Sequence, residues 1–513
     1  MPDFRLHDSL SRQTLPLEPA ERLADGTPVL RFYSCGPTVY SYAHIGNFRT
    51  FLTADLIVRT AEALGWQVRY VSNVTDVGHL TEDDVADAHG EDRMAKALRS
   101  KEGERFVNVW DLARHYTEAL LADWKALNLR EPTVRPRATE HVREQILAVE
   151  QLSDKGIAYE TDDGVYFHVP AFPEYGKLSG NTEAERLTET DRAVVRDEAK
   201  RDPRDFALWK KDPGHLMQWH SPWGWGFPGW HLECSVMAQQ YLGETIDLHG
   251  GGEDLRFPHH ECEIAQAEAL TGQPFSRRWV HTRFLQVEAQ KMSKRLGNFL
   301  TVRDLTVPEA EGGRADWGAP VDPLALRLML ISGHYGKPFN FTLKALQDAQ
   351  KVRRRYAEAD EVVREALSAS ASNGAADDVL ARALRAAYDS TLAAMLDDLN
   401  TPEALAAAYR GVNALLARHR EHPLAGTDAQ SAADFLDQTN ALLGIVRSEH
   451  GEAATASEED PLAAQVEALL AAREAARAAR DWARADALRA EVDALGVEVM
   501  DGPEGTTWRR KIG

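Results

Sequence analysis

Residues 34–50 read Ser-Cys-Gly-Pro-Thr-Val-Tyr-Ser-Tyr-Ala-His-Ile-Gly-Asn-Phe-Arg-Thr, a polar stretch set between two apolar segments. The run 29–33 before it is apolar enough to predict a short buried strand. After it, Phe51, Ala54, Val58, Ala61 and Leu64 recur at helical spacing. Gly65 stops that helix, and 67–74 alternates as a strand does. Strand, loop, helix, strand is a parallel βαβ unit, and open α/β sheets bind ligands at the carboxyl ends of their strands. The loop brings a cysteine, two tyrosines and a histidine up to a helix N-terminus, where an anion is favoured.

The chain has 513 residues, too many for one hydrophobic core. No apolar run approaches the length of a membrane span, and the first residues lack the apolar core of a signal peptide. Cys35, Cys234 and Cys262 include no CxxC pair and make no disulfide framework, which places the chain in a reducing, cytoplasmic setting. A net charge of −21 argues against a nonspecific nucleic-acid coat. Local basic tracks remain, at Lys351-Val-Arg-Arg-Arg355 and Arg509-Arg-Lys511.

Further along, helical patterning covers 95–127 and 140–152, and 165–168 predicts a strand. Residues 221–231 read as a rigid aromatic and glycine loop leading into a helix that runs to 242. A strand at 245–248 ends in His249-Gly-Gly-Gly, 259–270 is helical, and 279–287 is a strand. This is a second βαβ half. An alanine-rich helical region spans about 343–447, broken near 368–376 and 421–427, with Thr401 as a helix cap and Pro402 in the first turn. A polar linker at 448–460 precedes a helix-plus-hairpin tail. The expected partition is 1–76 and 206–298 for the two halves of a divided nucleotide-binding sheet, with 77–205 inserted between them. Residues 299–342 link to the helical bundle at 343–447, and 461–513 form the tail module.

Two constellations carry chemistry. His44-Ile-Gly-Asn47 and Lys291-Met-Ser-Lys-Arg295 lie on opposite halves of the divided sheet. Gly46 lets a base and ribose approach the backbone, His44 can donate to phosphate oxygens, and a loop bearing Lys291 and Lys294 can close over them. Cys35, Cys234, His259 and Glu263 form a set suited to zinc, because His259 and Glu263 share one helix face. On spacing alone, His260, Glu261 or Cys262 serve as readily.

The paired motifs resemble the HIGH and KMSKS signatures of the class I aminoacyl-tRNA synthetases, with Asn47 and Arg295 at the departing positions. Asn47 is expected to keep donating a hydrogen bond to the ligand. Gly36-Pro-Thr-Val-Tyr40, Gly229-Trp-His-Leu-Glu-Cys234, Leu248-His-Gly-Gly-Gly-Glu-Asp254 and Phe257-Pro-His-His-Glu261 are similar to cysteinyl-tRNA synthetase signatures. The resemblance runs from about residue 30 to the C-terminus, and Asp76-Val-Gly-His79 departs from it locally.

It implies an α/β fold: a divided Rossmann-like sheet with an insertion, then a helical anticodon-binding bundle and a small C-terminal module. It implies zinc on Cys35, Cys234, His259 and Glu263, and ATP with Mg²⁺ near His44, Gly46, Asn47, Lys291, Ser293 and Lys294. Thr75, Trp230 and His249 fall at amino-acid pocket positions. The expected activity is joining L-cysteine to tRNA(Cys), with Trp508, Arg509 and Arg510 among the tRNA contacts and a monomeric chain. A related ligase that joins cysteine to an amino sugar would not need residues 343–513.

Overall fold

The computed structural model describes residues 3–78, 80, 92–180, 200–293, 296–368 and 378–450. It also describes scattered helical positions between 469 and 492 and the hairpin backbone at 497–502 and 505–510. Strand β1 (Pro28–Ser34) leads through a loop into helix α1 (Ile45–Ala63) and back into the parallel strand β2 (Gln67–Ser72). β1 is buried on both faces, as a central strand of a parallel sheet must be. α1 starts six residues before Phe51, where the apolar pattern begins. Its first turn is Ile-Gly-Asn, where a single apolar residue sets no period, and His44 is its N-cap. Gly65, at φ +76, ends it as the sequence expects.

Residues 95–127 are not one helix. Arg93–Leu98 ends before a tight turn at Gly103, where a Cβ would lie 2.2 Å from the Ala97 carbonyl oxygen. Helix α2 (Val109–Ala126) restarts behind the Asn108 cap. An antiparallel sheet follows, ordered Ala158–Glu160, Gly164–Phe167, Phe206–Lys210, Gly224–Pro228, Trp219–Ser221. The stretch read as a rigid loop at 221–231 is therefore half of a β-hairpin, and the inserted sheet runs on past residue 205.

Helix α3 (Trp230–Leu242), strand β3 (Leu248–Gly252), helix α4 (His259–Thr271) and strand β4 (Trp279–Thr282) complete the parallel layer. Across the sheet β4, β3, β1 and β2 run in that order and parallel, and the two-residue strand Glu21–Arg22 pairs antiparallel with the start of β1. β3 passes through the three glycines at which the sequence ends it. At Gly251 a Cβ would sit 2.7 Å from the His260 ring, so glycine lets α4 press onto the sheet. The strand expected at 279–287 splits: Leu285–Val287 leaves to pair with Gln290–Lys291 and Phe339–Phe341. Four helices follow, Leu343–Ser368, Asp378–Leu396, Thr401–Glu421 and Gly426–Leu443. Asn400, not Thr401, is the cap of the third, and Pro402 lies in its first turn.

By itself, Met1–Ser448 is one compact unit and Glu449–Gly513 another. In the second, Val497–Gly502 pairs antiparallel with Gly505–Arg510. Among the described residues no helix is long and apolar enough to cross a membrane.

At the centre of the first unit, Asp55 on α1 accepts from Arg59 Nε (2.9 Å), from an Arg327 terminal nitrogen (2.5 Å) and from the Arg130 amide (2.7 Å). Arg327 belongs to helix α5 (Pro323–Ile331). All three charged side chains are fully buried. The arginines also donate to the carbonyls of Leu127 and Asn128, just past α2, and of Asn440, Ala441 and Leu443 at the end of α6 (Gly426–Leu443). Burial opposes ionisation of Asp55, but Arg327 and Arg59 outweigh it and hold the carboxyl below its usual range.

Removing one partner leaves buried charge uncompensated, so Arg327→Met is expected to destabilise the first unit by about 3–5 kcal/mol. The exposed Lys344–Asp348 pair sets the contrast: Lys344→Ala should cost about 1 kcal/mol or less, both read from urea midpoints. A second expectation concerns Asp123 on α2, whose buried Oδ2 has no hydrogen-bond partner among the described residues. Burial pushes its carboxyl up to about 7, against the pull of Arg303. The folded value exceeds an unfolded one of about 3.9, so this group costs stability as pH rises through that window. Asp123→Asn should therefore stabilise the chain more at pH 8 than at pH 5, by roughly 2–3 kcal/mol. An equal gain in melting temperature at both pH values would contradict it.

Candidate metal and amino-acid activation site

Cys35 follows β1, Cys234 lies in the first turns of α3, and His259 and Glu263 sit one turn apart on α4. The fold brings them together at the carboxyl ends of β1 and β3, where the strand order changes direction. Their ligand atoms all lie within 4.8 Å of one another, and all four residues are buried. The sulfurs of Cys35 and Cys234 are 3.7 Å apart, Cys35 Sγ is 3.5 Å from Glu263 Oε1, and His259 Nε2 is 3.1 Å from the same oxygen. A tetrahedral zinc with Zn–S bonds of about 2.3 Å needs its two sulfurs about 3.8 Å apart, and N and O ligands somewhat closer. The donor set and its spacings fit that ion.

Burial opposes ionisation of the Cys234 thiol, but a hydrogen bond from Cys35 and the charge on His259 hold it down to about 6. Cys35 is pushed well above its usual value by burial and by Cys234. Burial works against charging His259, yet Glu263 and Cys234 push it up to about 10. Two thiols, an imidazole and a carboxyl group packed in a dry site favour a bound cation, and a metal on His259 Nε2 would take the place of its proton.

The alternatives left open by spacing separate clearly. Glu261 turns away and accepts from the amides of Gly176 (2.8 Å) and Ser179 (2.8 Å). Cys262 faces the Tyr175 hydroxyl at 3.4 Å in the core of the inserted sheet. His260 does reach the cluster, 3.4 Å from Cys35 Sγ, but its Nδ1 is engaged by His281 at 2.9 Å. His249 Nε2 lies 2.8 Å from Glu263 Oε2, which makes Cys35, His249, His260 and Glu263 a second close group. His231 orients the other side of His259, Nδ1 to Nδ1 at 3.0 Å.

Around the metal set, the Trp230 ring stacks on His259 with centroids 4.4 Å apart. Thr75 is bound through its backbone to Pro37 and Val39, just after Cys35, and its hydroxyl donates to Glu233 Oε1 at 2.5 Å. Sequence reasoning passed over Glu233; an acidic residue buried one position before a thiol ligand is the signal that would have found it. Burial and the neighbouring Cys234 push its carboxyl well above the usual range. In the departing Asp76-Val-Gly-His79 stretch, Asp76 accepts from Thr139 N and Oγ1 at 3.0 and 2.8 Å. Gly78 has φ +79, and a Cβ there would lie 2.5 Å from the Pro228 carbonyl oxygen, so this backbone demands glycine. His79 lies outside the described residues.

The nucleotide motifs also meet. His44 caps α1: its Nδ1 accepts from the Asn47 amide at 3.0 Å, while Asn47 Oδ1 accepts from the His44 amide at 3.0 Å. The Asn47 side chain thus turns its oxygen back into the cap, a task the expectation of a ligand donor did not include. Burial lowers His44 to about 4, so the ring is neutral and, with Nδ1 accepting from Asn47, its proton is on Nε2. A Cβ on Gly46 would lie 3.3 Å from Met292 Cε, which places the second motif over the first. Lys291 is exposed on a two-residue strand, and Ser293 N donates to Asn298 Oδ1 at 2.8 Å. Lys294 and Arg295 lie outside the described residues. Trp508, Arg509 and Arg510 pair through their backbone with Val499, Glu498 and Val497.

Comparison with known proteins fits this geometry. Residues 25–351 match the model for the class I (C) tRNA synthetase catalytic domain. Residues 392–447 match the DALR domain, and 459–509 the cysteinyl-tRNA ligase anticodon binding domain. The chain is 59% identical to a cysteine–tRNA ligase of Salinibacter ruber across 99% of both chains. It is 42% identical to one of Deinococcus radiodurans over 90% of this chain and 86% of that one. Among solved structures, methionyl-tRNA synthetase of Mycobacterium tuberculosis bound by methionyl-adenylate shares the fold. The TM-score is 0.53 at 14% identity, covering 81% of this chain and 92% of that one. The chain belongs to the cysteinyl-tRNA synthetase family, the class I cysteine–tRNA ligases.

Proposed function

We propose that this ligase works in two steps. The cysteine carboxylate attacks the α-phosphorus of ATP, the bond to the β-phosphate oxygen breaks, and pyrophosphate leaves. The cysteinyl group then passes to the 3′-terminal adenosine of tRNA(Cys), releasing AMP. The observation that carries this reading is the convergence of the 35–47 loop on both the metal set and the capped N-terminus of α1.

Cys35, Cys234, His259 and Glu263 would hold zinc. When bound, that ion supplies a soft Lewis-acid centre for which a thiolate sulfur is a far better ligand than serine's hydroxyl. The selectivity would be set at activation, where an apolar pocket separates near-isosteres poorly. His44 donates from Nε2 to phosphate oxygens, with the α1 N-terminus behind it. Gly46 leaves room for the nucleoside, and Lys291, Ser293 and Lys294 close from the other half as Mg²⁺ accompanies ATP. Trp230 and Thr75 line the amino-acid pocket, and His249 braces Glu263.

Residues 77–205 receive the acceptor end. The bundle at 343–447 and the module at 461–513 read the rest of the tRNA, with Trp508, Arg509 and Arg510 stacking on and pairing with unstacked nucleotides. The protein acts as a monomer in the cytoplasm.

The test is cysteine-dependent ATP–pyrophosphate exchange with serine as control, followed by charging of tRNA(Cys). Exchange with cysteine alone and transfer to tRNA are expected; no exchange would end this reading, and exchange without charging would direct it to another acceptor. Cys234→Ser is expected to lower bound zinc from one per chain and to erase the preference for cysteine over serine. Undiminished metal content, measured by elemental analysis, would remove Cys234 from the ligand set.

A further inference from the structure

Tyr42 stands two positions before His44, and separate parts of the chain meet around its ring. Its hydroxyl is 3.1 Å from His115 Nε2 on α2, and its ring meets that of Tyr116 edge-on, with centroids 5.0 Å apart. Arg303, on the short helix Val302–Thr306, lies over the same ring at 5.7 Å. Arg105, just ahead of the Asn108 cap of α2, donates to His115 Nε2 at 3.0 Å and covers the Phe106 ring at 4.7 Å. A ring nitrogen that accepts from an arginine holds no proton, so His115 is neutral with its proton on Nδ1. Burial and the charges of Arg105 and Arg303 hold it below the usual histidine range. The segment bearing Arg303 is joined to the cap of α1: Thr301 pairs through its backbone with His44, and the Ile45 amide donates to the Leu300 carbonyl at 2.9 Å.

A cleft of about 360 Å³ opens at this junction, lined by Arg105, Phe106, Asp111, Arg114, His115 and Glu118. Asp111 is neutralised by Arg114, and Asp304 is turned into the cap at Thr301, so neither cancels Arg105 or Arg303. Arg105 is exposed, and Phe106 and His115 are half-buried. Flat cations laid on rings beside a cleft suit a ligand that alternates phosphates with unpaired bases. The guanidinium supplies a charge for the one and a plane for the other. Paired bases present no such face.

We infer that this junction seats the unpaired 3′ strand of the acceptor end, with Arg105 and Arg303 on its backbone phosphates and the Arg105–Phe106 stack under a base. The inference rests on the proposed charging of tRNA(Cys). Tyr42 and His115 are positioning residues: they tie the inserted helix to the 35–47 loop, so that the strand and the His44 cap are held by one set of contacts.

The experiment measures charging of tRNA(Cys) beside ATP–pyrophosphate exchange run without tRNA. Arg105→Gln and Arg303→Gln are each expected to raise KM for tRNA(Cys) about 10-fold, the loss of one charge-assisted contact, while exchange stays within about twofold. Each should also lower the slope of log KM against log salt by about 0.7, the value for one phosphate of a single strand. Arg105→Lys keeps the charge and loses the plane, and is expected to keep that slope while raising KM about fivefold. As control ligand, tRNA(Cys) trimmed of its unpaired 3′ end should inhibit wild type and both glutamine variants with constants within about twofold of each other.

An inhibition constant that rises with KM would place the arginines on the paired stem and overturn the inference. A raised KM for ATP with an unchanged KM for tRNA would assign the contact to the nucleotide and overturn it as well. So would no change in any of these, or an equal loss of exchange and charging, which marks a merely structural role. Should Arg303→Gln not fold, the exposed Arg105 reads the same split. Wild-type protein that does not charge tRNA(Cys) would instead fail the ligase reading itself, which keeps the two failures distinct.

Discussion

Two arginines and an aspartate, all out of water, hold the first unit together. Asp55 carries one negative charge against the two positive charges of Arg59 and Arg327. The remainder is met by two helix C-termini, α2 and α6, whose last carbonyls point at the guanidinium groups. Each such terminus is worth roughly half a negative charge, so the knot closes near neutrality. A lysine would not serve: only the planar guanidinium reaches several carbonyls and a carboxylate together. The same helix that carries Asp55 and Arg59 is capped by His44. The orientation of the His44–Asn47 cap is thereby tied to the ends of an inserted helix and of the bundle.

The other constraint is close approach. β3 is largely glycine, and the absence of side chains lets the His260 ring rest against the sheet. α4 can then deliver His259 and Glu263 to the two thiols. Gly78 performs a similar service where the segment after β2 crosses the Pro228 carbonyl. The dense histidine, cysteine and carboxylate centre is built on places where the backbone carries nothing else.

The βαβ halves, the breaks between the bundle helices and the hairpin at the tail were legible from periodicity and punctuation. The true start of α1 was not, because Ile-Gly-Asn reads as loop until His44 and Asn47 are seen to cap each other. The strand read at 245–248 meets β3 only at Leu248: it was placed three residues early and stopped at the glycines, which have no strand propensity of their own and take it from the parallel neighbours on both sides. Spacing could not choose among His259, His260, Glu261 and Cys262, since α4 is buried from His259 to Ala267 and has no solvent face to set its rotation. Only family resemblance singled out the ligand set in the sequence. Glu233 lies inside the Gly229–Cys234 stretch that resembles the family, but only the fold shows its contact with Thr75, 158 positions away.

The central knot also imposes an order in time. Arg59 and the Asn440 carbonyl that receives it are separated by 381 positions. At roughly 5–20 residues per second, a ribosome needs on the order of 20–80 s to supply the second after the first. During that interval Arg59 and Asp55 can pair with each other, one turn apart on α1, but the inward face of the helix lacks its far wall. The parallel sheet therefore finishes burying its own first helix only once the bundle has emerged, and a nascent chain cut short before residue 440 carries the His44–Asn47 cap on an incompletely seated helix.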